Sequence, residues 1–380
     1  MSDKTSWSIN SSFKIYRPNG TYQEIPCTRH LMVSNGGLFP AMIQLHSGEL
    51  IAAVRGGFWH GSAPSGYKEA SIDIIRSSDY GESWTKPLTI IDSEDDDRDP
   101  TLGQLDDGTL VLAYTRRRAY RPDENAHPSG HRRDETWFTR SEDEGHTWEE
   151  CKPVPIPTGF VATGTPGDGQ DVIQLDDGTA IFTGGLRKTF DVVPCGDHAI
   201  FRSTDSGKTW GDVTSFDLDM GCEEVALLKL PSGKLLAALR GGGVKSDAIW
   251  ITESDDNGRS WPNTPRKVTD EHQHPADLLI LSNGDILMSF GSRHAPYGVR
   301  GLVSKDEGKT WDYNHAIVLV DNCAEWDCGY PTTLALPDGM LITCYYRSLS
   351  ENPYFEGLGT KAISATIKYK EKDLLGALGE

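Results

Sequence analysis

A chain of 380 residues, 37% of them hydrophobic and 40 of them glycine, can bury a sizeable core as two average domains or as one large β domain. Its formal net charge of −19, from 56 acidic and 37 basic residues, repels nucleic acid and anionic membranes, so neither is expected as a partner. No apolar run approaches the roughly 18 residues of a membrane span. The opening MSDKTSWSIN has no basic segment followed by an apolar one, so a cytoplasmic location is expected, with a trimmed secreted form as the alternative. Seven cysteines, an odd number without tight paired spacing, suggest reduced thiols. Cys323 and Cys328 bracket AEWD and could pair or bind metal, but buried or loop thiols are the expectation.

In chain order the first unit is PAMIQLHSGELIAAVR, an apolar strand, a turn closed by Gly48, and a second apolar strand. A third strand, SIDIIR, then runs into the octapeptide SSDYGESW (77–84). The succession returns as PTLGQLDDGTLVLAYTR, ETWFTR and SEDEGHTW (141–148), and as DVIQLDDGTAIFTGGLR and STDSGKTW (203–210). It continues as VALLKLPSGKLLAALR, AIWITE and SDDNGRSW (254–261), then as ADLLILSNGDILMSFGSR and SKDEGKTW (304–311). A sixth unit, PTTLALPDGMLITCYYR, lacks the octapeptide and ends in KAISATIKYK.

Each part of the pattern S-x-D-x-G-x-[S/T]-W has a physical job. The Asp accepts backbone N–H bonds within the turn, the Gly permits positive φ, and the Trp covers the neighbouring core. The octapeptide is thus expected to be a structural turn joining the third and fourth strands of each unit. The turn glycines Gly48, Gly108, Gly178, Gly233, Gly284 and Gly339 stand 51 to 70 residues apart, room for four short strands per unit, and helical periodicity is nearly absent. These features predict an all-β, six-bladed β-propeller, one domain over residues 1–380 with negligible helix. The N-terminal SSFKIYR region is expected to complete the last blade.

Both kinds of turn fall on one face of such a disc, so a ligand site belongs on the other, where first strands begin and second strands end. Nine residues before each turn glycine stand Phe39, Asp99, Gly169, Glu224, Pro275 and Tyr330; one residue earlier stand Leu38, Arg98, Asp168, Glu223, His274 and Gly329. Seven to nine residues after it, every unit carries an arginine: Arg55, Arg116, Arg187, Arg240, Arg293 and Arg347. Six arginines at equivalent places in so acidic a chain point to a cationic rim, with pairing to blade carboxylates as the plainer role. Rim loops also hold His60, His127, His131, His272, His274 and His294. Asp99, beside Arg98, is either a carboxylate held by a salt bridge or a general acid/base. The run DSEDDDRD before Pro100 is expected to be a solvated loop. Metal-binding, phosphate-loop and cofactor motifs are absent from the sequence, so no metal or cofactor is expected.

The octapeptides resemble the Asp-boxes of the sialidase superfamily, and their spacing resembles its six-bladed propeller over essentially the whole chain. In that family a tyrosine activated by a glutamate attacks the anomeric carbon, and three arginines clamp the substrate carboxylate. CEEVALLKLPSGKLLAALR is similar to the segment that carries the glutamate and one clamp arginine, which the resemblance places at Glu224 and Arg240. CGYPTTLALPDG is similar to the segment that carries the tyrosine, Tyr330. Another clamp arginine precedes the fifth Asp-box, where Arg293 and Arg300 both stand without matching the family spacing.

Two departures follow from the same comparison. The first clamp arginine belongs to an Arg-Ile-Pro motif, and this chain has LFP, with Leu38 in the arginine's place. The family's acid is an aspartate in the next loop, where GGFWHGSAPSGYKEAS supplies only His60 and Glu69. What the resemblance implies is therefore an exo-acting carbohydrate enzyme, cleaving a terminal linkage next to or within an acidic sugar. Tyr330, Glu224, Asp99 and His60 are the candidate catalytic residues, and Arg55, Arg116, Arg240, Arg293, Arg347 and His274 the candidate substrate-binding ones. The alternatives are a uronate-directed lyase working by β-elimination, for instance on a rhamnose–glucuronate linkage, an ordinary exo-α-sialidase, and a non-catalytic glycan-binding propeller. The expected partner is an oligosaccharide or glycoconjugate bearing an acidic sugar.

Overall fold

Runs such as LFPAMIQ and LIAAVR are apolar on both faces, the pattern of strands covered from each side, whereas LTII at 88–91 begins with exposed residues. The chain folds accordingly in the computed structural model, which describes residues 4–5, 7–57, 70–119, 132–164, 172–188, 197–242, 246–349 and 361–379. Leu38–Gln44, Leu50–Arg55, Ile72–Ser77 and Leu88–Ile91 form the first antiparallel sheet in sequence order. Asp96–Gln104, Leu110–Ala119, Arg132–Ser141 and Lys152–Pro153 form the second. A five-stranded third sheet runs from Phe160 to Ser215, and a four-stranded fourth from Cys222 to Lys267.

Lys4–Thr5 pairs with Trp84–Thr85, and the other nine strands make one sheet. One end is the meander Gln273–Ile280, Ile286–Ser292, Gly298–Ser304 and Ile317–Val320; the other is Cys328–Ala335, Met340–Leu349 and Lys361–Lys370. Two N-terminal strands join the ends. Tyr22–Val33, not the expected SSFKIYR segment, pairs with Lys361–Lys370, while Ser8–Tyr16, which contains that segment, pairs with Tyr22–Val33 and Ile317–Val320. The unforeseen ending is a helix, Glu371–Gly379, with acidic residues in its first turn and Leu374, Ala377 and Leu378 buried.

Buried apolar side chains fill the layers between successive sheets. Met42, Ala52 and Trp84 meet Leu334 and Ile342 between the first sheet and the last strands. Ile51 and Ile74 meet Leu102 and Leu112, Val111 and Phe138 meet Phe182 and Trp210, and Ile200 meets Leu227 and Ala237. Leu236 and Ile251 then meet Leu278 and Met288, and Val303 and Leu319 meet Leu341 and Ile367. Each sheet thus packs on the next and the last on the first, an all-β, propeller-like fold.

The five octapeptides sit between third and fourth strands, as expected. In each the box glycine N–H donates to the serine Oγ at 2.8–2.9 Å, and the Asp Oδ1 accepts from the backbone N–H four residues on at 2.8–2.9 Å. A cation of the preceding sheet reaches into four of these turns. Arg76 donates to Glu144 O at 2.8 Å, Arg140 to Ser206 O at 2.7 Å, Arg202 to Gly258 O at 2.8 Å and Arg266 to Gly308 O at 3.1 Å. At the ring closure His30 Nδ1 lies 3.2 Å from Glu82 O.

The box glycines touch the preceding sheet too. A Cβ on Gly207, whose φ is +75°, would stand 2.7 Å from Val111 Cγ2, whereas one on Gly108, at φ +89°, meets nothing within 4 Å. Gly108→Ala should therefore cost about 1 kcal/mol from backbone strain alone. Gly207→Ala should cost about 2–4 kcal/mol, because overpacking adds to the same strain. Urea unfolding of the two variants measures the difference; equal losses would contradict a tight contact between octapeptide and preceding sheet.

Candidate active site

The innermost strands share one irregularity. Ladder pairing slips between Leu38 and Ala41, Arg98 and Thr101, Cys222 and Val225, Gln273 and Ala276, and Gly329 and Thr332. These β-bulges fall on the rim positions counted from the turn glycines. In three of them a bulky residue sits in the left-handed region, Phe39 at φ +52°, Asp99 at +51° and Tyr330 at +50°. Such strain costs on the order of 1–3 kcal/mol each and re-aims a side chain from the pleat.

Three bulges converge on one cluster. Tyr330 Oη donates to Glu224 Oε1 at 2.5 Å, and both residues are buried. Arg240 donates through Nη1 to Glu224 Oε2 at 2.9 Å and through Nε to Asp247 Oδ1 at 3.1 Å; Glu223 Oε2 lies 3.3 Å from the same Nε. His274, fully buried, places Nε2 3.0 Å from Asp247 Oδ1, off the line of a good hydrogen bond, and Nδ1 4.0 Å from Glu224 Oε2. The exposed His272 closes the group with Nδ1 2.9 Å from Asp247 Oδ2.

Burial alone would push the Glu224 carboxyl up. Arg240, His274, Arg293 and the Tyr330 hydroxyl outweigh it and hold the group below the usual carboxylate range. Burial likewise opposes the Asp247 carboxylate, and the His274, Arg240 and His272 contacts prevail, so it too stays ionised. Burial dominates at His274 and, with Arg240 and Arg293 nearby, lowers the imidazole to about 4, against the pull of Asp247.

The Tyr330 ring is fixed by aromatic contacts, 4.7 Å from Phe39 and 5.6 Å from Tyr346 between centroids. Tyr346 donates to Asp327 Oδ1 at 2.6 Å. Leu38, Phe39, Tyr330, Tyr346 and Ala362 make a small apolar cluster, so Leu38 is held there by apolar packing. The Arg293 guanidinium lies 5.7 Å from the Tyr330 ring and 5.4 Å from the Trp326 ring. Its buried Nε and Nη2 have no hydrogen-bond partner among the described residues.

The six rim arginines divide. Arg55, Arg116 and Arg240 carry out the plainer role of pairing with carboxylates. Arg55 donates to Asp96 Oδ1 from Nε at 3.3 Å and Nη2 at 3.0 Å, and burial with the nearby Arg98 lowers it to about 10. Arg116 donates to Asp97 Oδ1 at 2.8 Å and stacks 4.1 Å from the Trp137 ring centre. Arg293, Arg187 and Arg347 each keep a buried Nε without a hydrogen-bond partner among the described residues, Arg347 Nη1 reaching only Asn322 at 3.4 Å. Arg300, the other candidate before the fifth octapeptide, is tied to Val320 O and Pro296 O.

Asp99 lies 4.0 Å from Arg98 Nε, which is 3.4 Å from Asp96 Oδ2. Only the first half of the acidic run before Pro100 is the loop expected: residues 92–95 lie outside strand and are partly exposed, whereas Asp96 and Asp97 are fully buried in strand as counter-charges for Arg55 and Arg116. His60, Glu69, His127, His131, Asp168 and Gly169 lie outside the described residues. Among the described residues no group of three or more His, Cys, Asp or Glu could hold a metal, and no helix is long and apolar enough to cross a membrane.

Sequence reasoning passed over Asp247 altogether. Its signal was an acidic residue just before a third strand, near an arginine that ends a second strand.

Residues 48–343 match the family described as BNR repeat-like domain. A search of the curated proteins finds no significant match. Among solved structures, a protein of unknown function from Dyadobacter fermentans superposes with a TM-score of 0.74 at 22% identity, over 90% of this chain and 98% of that one. An intramolecular trans-sialidase from Ruminococcus gnavus, in complex with oseltamivir carboxylate, gives 0.62 at 14% over 90% and 96%. An α-L-arabinanase from Penicillium chrysogenum, complexed with arabinobiose, gives 0.61 at 16% over 96% and 99%. At these identities the likeness is one of fold.

The buried imidazole has a consequence for stability. A histidine whose folded pKa is lowered from about 6.5 to about 4 binds its proton more readily when unfolded, so its contribution is complete above pH 6.5 and is lost as pH falls toward 4. Between pH 7 and pH 5 this amounts to about 2 kcal/mol. Glu224 and Asp247, both held low, stay ionised over that window. Urea melts at the two pH values should show the loss in the wild type and a clearly smaller one in His274→Gln; identical pH dependence would contradict a neutral buried His274.

Proposed function

Because the chain belongs to the BNR repeat-like domain family, and so to the sialidase-like propellers, we propose that it is an exo-acting carbohydrate enzyme that cleaves a terminal linkage next to or within an acidic sugar. The observation that carries this reading is the Tyr330 hydroxyl 2.5 Å from Glu224 Oε1, two residues 106 positions apart in sequence. The fold is read as one domain of six blades, the nine-stranded sheet counting as two blades joined through Ser8–Tyr16.

In the reaction Glu224 accepts the Tyr330 proton as the phenol oxygen attacks the anomeric carbon. A carboxylate held low is a weak base taken alone. Here the same two cations that keep Glu224 ionised, Arg240 and Arg293, also stabilise the phenolate, so the transfer is made easier from the tyrosine side. The leaving oxygen takes its proton from Asp99, the described candidate, or from His60. Arg293 meets the substrate's anionic group, since its buried Nε and Nη2 have no hydrogen-bond partner among the described residues, while the nearby Glu224 carboxylate is already bonded to Arg240 and Tyr330.

Leu38 in its apolar cluster removes one clamp arginine, which supports an acidic sugar other than that of an ordinary exo-α-sialidase. A uronate-directed lyase is the second reading, and one observation favours it. His274 is an imidazole lowered to about 4, with Nε2 turned to Asp247 and Nδ1 without a hydrogen-bond partner among the described residues, an unprotonated base of the kind proton abstraction needs. The tight Tyr330–Glu224 pair disfavours a purely glycan-binding propeller.

The test is a screen of aryl sialosides, aryl uronides and rhamnose–glucuronate oligosaccharides, followed both by aglycone release and by the ultraviolet absorbance of unsaturated uronates. Turnover should be lost in Tyr330→Phe, fall about 10²–10⁴-fold in Glu224→Gln, and show a KM raised about 10–100-fold in Arg293→Gln, the loss of one or two charge-assisted hydrogen bonds. Aglycone release without unsaturated product supports hydrolysis. Unsaturated product in a Tyr330→Phe variant of full activity contradicts the nucleophile assignment.

A further inference from the structure

Cys323 and Cys328 stand at the two ends of the CAEWDC segment, immediately before the rim residues Gly329 and Tyr330. Cys323 N donates to Tyr297 O at 3.1 Å, while Cys328 Sγ lies 4.0 Å from Gly298 O and 4.0 Å from Ser292 O. The Cys323 backbone and the Cys328 sulfur thus meet adjacent residues, Tyr297 and Gly298, and both cysteines belong to one buried cluster with Val299 and Val320. Both are free thiols of that one cluster.

The two are unequal. The Cys328 hydrogen bond, followed by the cations Arg347, Arg300 and Arg29, pulls the Cys323 thiol below its ordinary range despite burial, and the same contact pushes Cys328 up. Cys323 also has the greater access, 8% exposed against 0%. A thiol biased toward its thiolate, with a second thiol five residues on in the same buried cluster, is the arrangement that a two-electron oxidant converts to a disulfide.

We propose that Cys323 and Cys328 form an oxidisable thiol pair whose oxidant is a hydroperoxide. The Cys323 thiolate attacks a peroxide oxygen, the O–O bond breaks, and the departing oxygen is protonated to alcohol or water, leaving a sulfenic acid on Cys323. The Cys328 sulfur then attacks the Cys323 sulfur, the S–O bond breaks, and hydroxide leaves as water with the Cys328 proton. The two thiols lose two electrons and the peroxide gains them. The new bond clamps the segment that carries Trp326 against Arg293, and Asp327, whose Oδ2 accepts from Ser348 Oγ at 3.2 Å. Oxidation at this pair stands independently of the activity at Tyr330.

The experiment treats the whole folded protein with hydrogen peroxide, then unfolds it in iodoacetamide and maps the peptides. The expected product is a Cys323–Cys328 link, about 2 Da lighter than the dithiol and reversed by dithiothreitol, with Cys27, Cys151, Cys222 and Cys344 still alkylated. In Cys328→Ser, dimedone should capture Cys323 as the sulfenic acid; in Cys323→Ser, position 328 should stay a thiol at the same dose. Thermal melts establish that each variant is folded. Full alkylation of both thiols after peroxide, a link to any other cysteine, or sulfenic acid at Cys328 in Cys323→Ser would overturn the proposal.

Discussion

Neighbouring sheets are tied by one repeated contact, the donation of a cation on one sheet into the octapeptide turn of the next. Arg76, Arg140, Arg202 and Arg266 each cap a carbonyl there, and the turn's own Ser–Asp bonds hold that carbonyl rigid. Because a left-handed glycine presses its Cα against the preceding sheet, rotation about the contact is blocked as well. Each such joint orders only two sheets, yet the series must close, and His30 and Lys368 meet Glu82 where the last strands return to the first sheet. The separation of Tyr330 from Glu224 depends on every joint between them.

On the opposite face the same strands begin with bulges. A flat ladder would leave residues 39, 99, 224, 274 and 330 in the pleat; the bulge breaks the pairing locally and re-aims them. Charge is then distributed unevenly around the ring. The first two sheets bury their cations against Asp96 and Asp97, a self-neutralised half. The fourth and fifth bring together three acidic groups, Glu223, Glu224 and Asp247, two arginines and a buried imidazole around one phenol.

The parts of this account that repeat were readable from the sequence. Six turn glycines give the strand–turn–strand register, and counting back from them reached Glu224, His274 and Tyr330 without any three-dimensional information. Nothing local marks which residues at those positions meet, since Tyr330 and Glu224 are 106 residues apart. Charge runs misled for the same reason. DSEDDDRD looks solvated until Arg55 and Arg116, from other strands, are brought over Asp96 and Asp97. The swap of Tyr22–Val33 for Ser8–Tyr16 beside the last strands was hidden because both are amphipathic strands of suitable length. Asp247 lies in no repeat and announces itself only through its partners.

At the centre of the account is Tyr330 as a nucleophile rather than a buried structural phenol. Mechanism-based trapping separates the two most directly. The protein is incubated with fluorinated acidic glycosyl fluorides, whose second fluorine slows breakdown of a glycosyl intermediate, and digested for peptide mass spectrometry. The account predicts one glycosyl adduct per chain on Tyr330, much slower to form in Glu224→Gln. Adduct on a different residue, or steady release of fluoride with Tyr330 always unmodified, would contradict it.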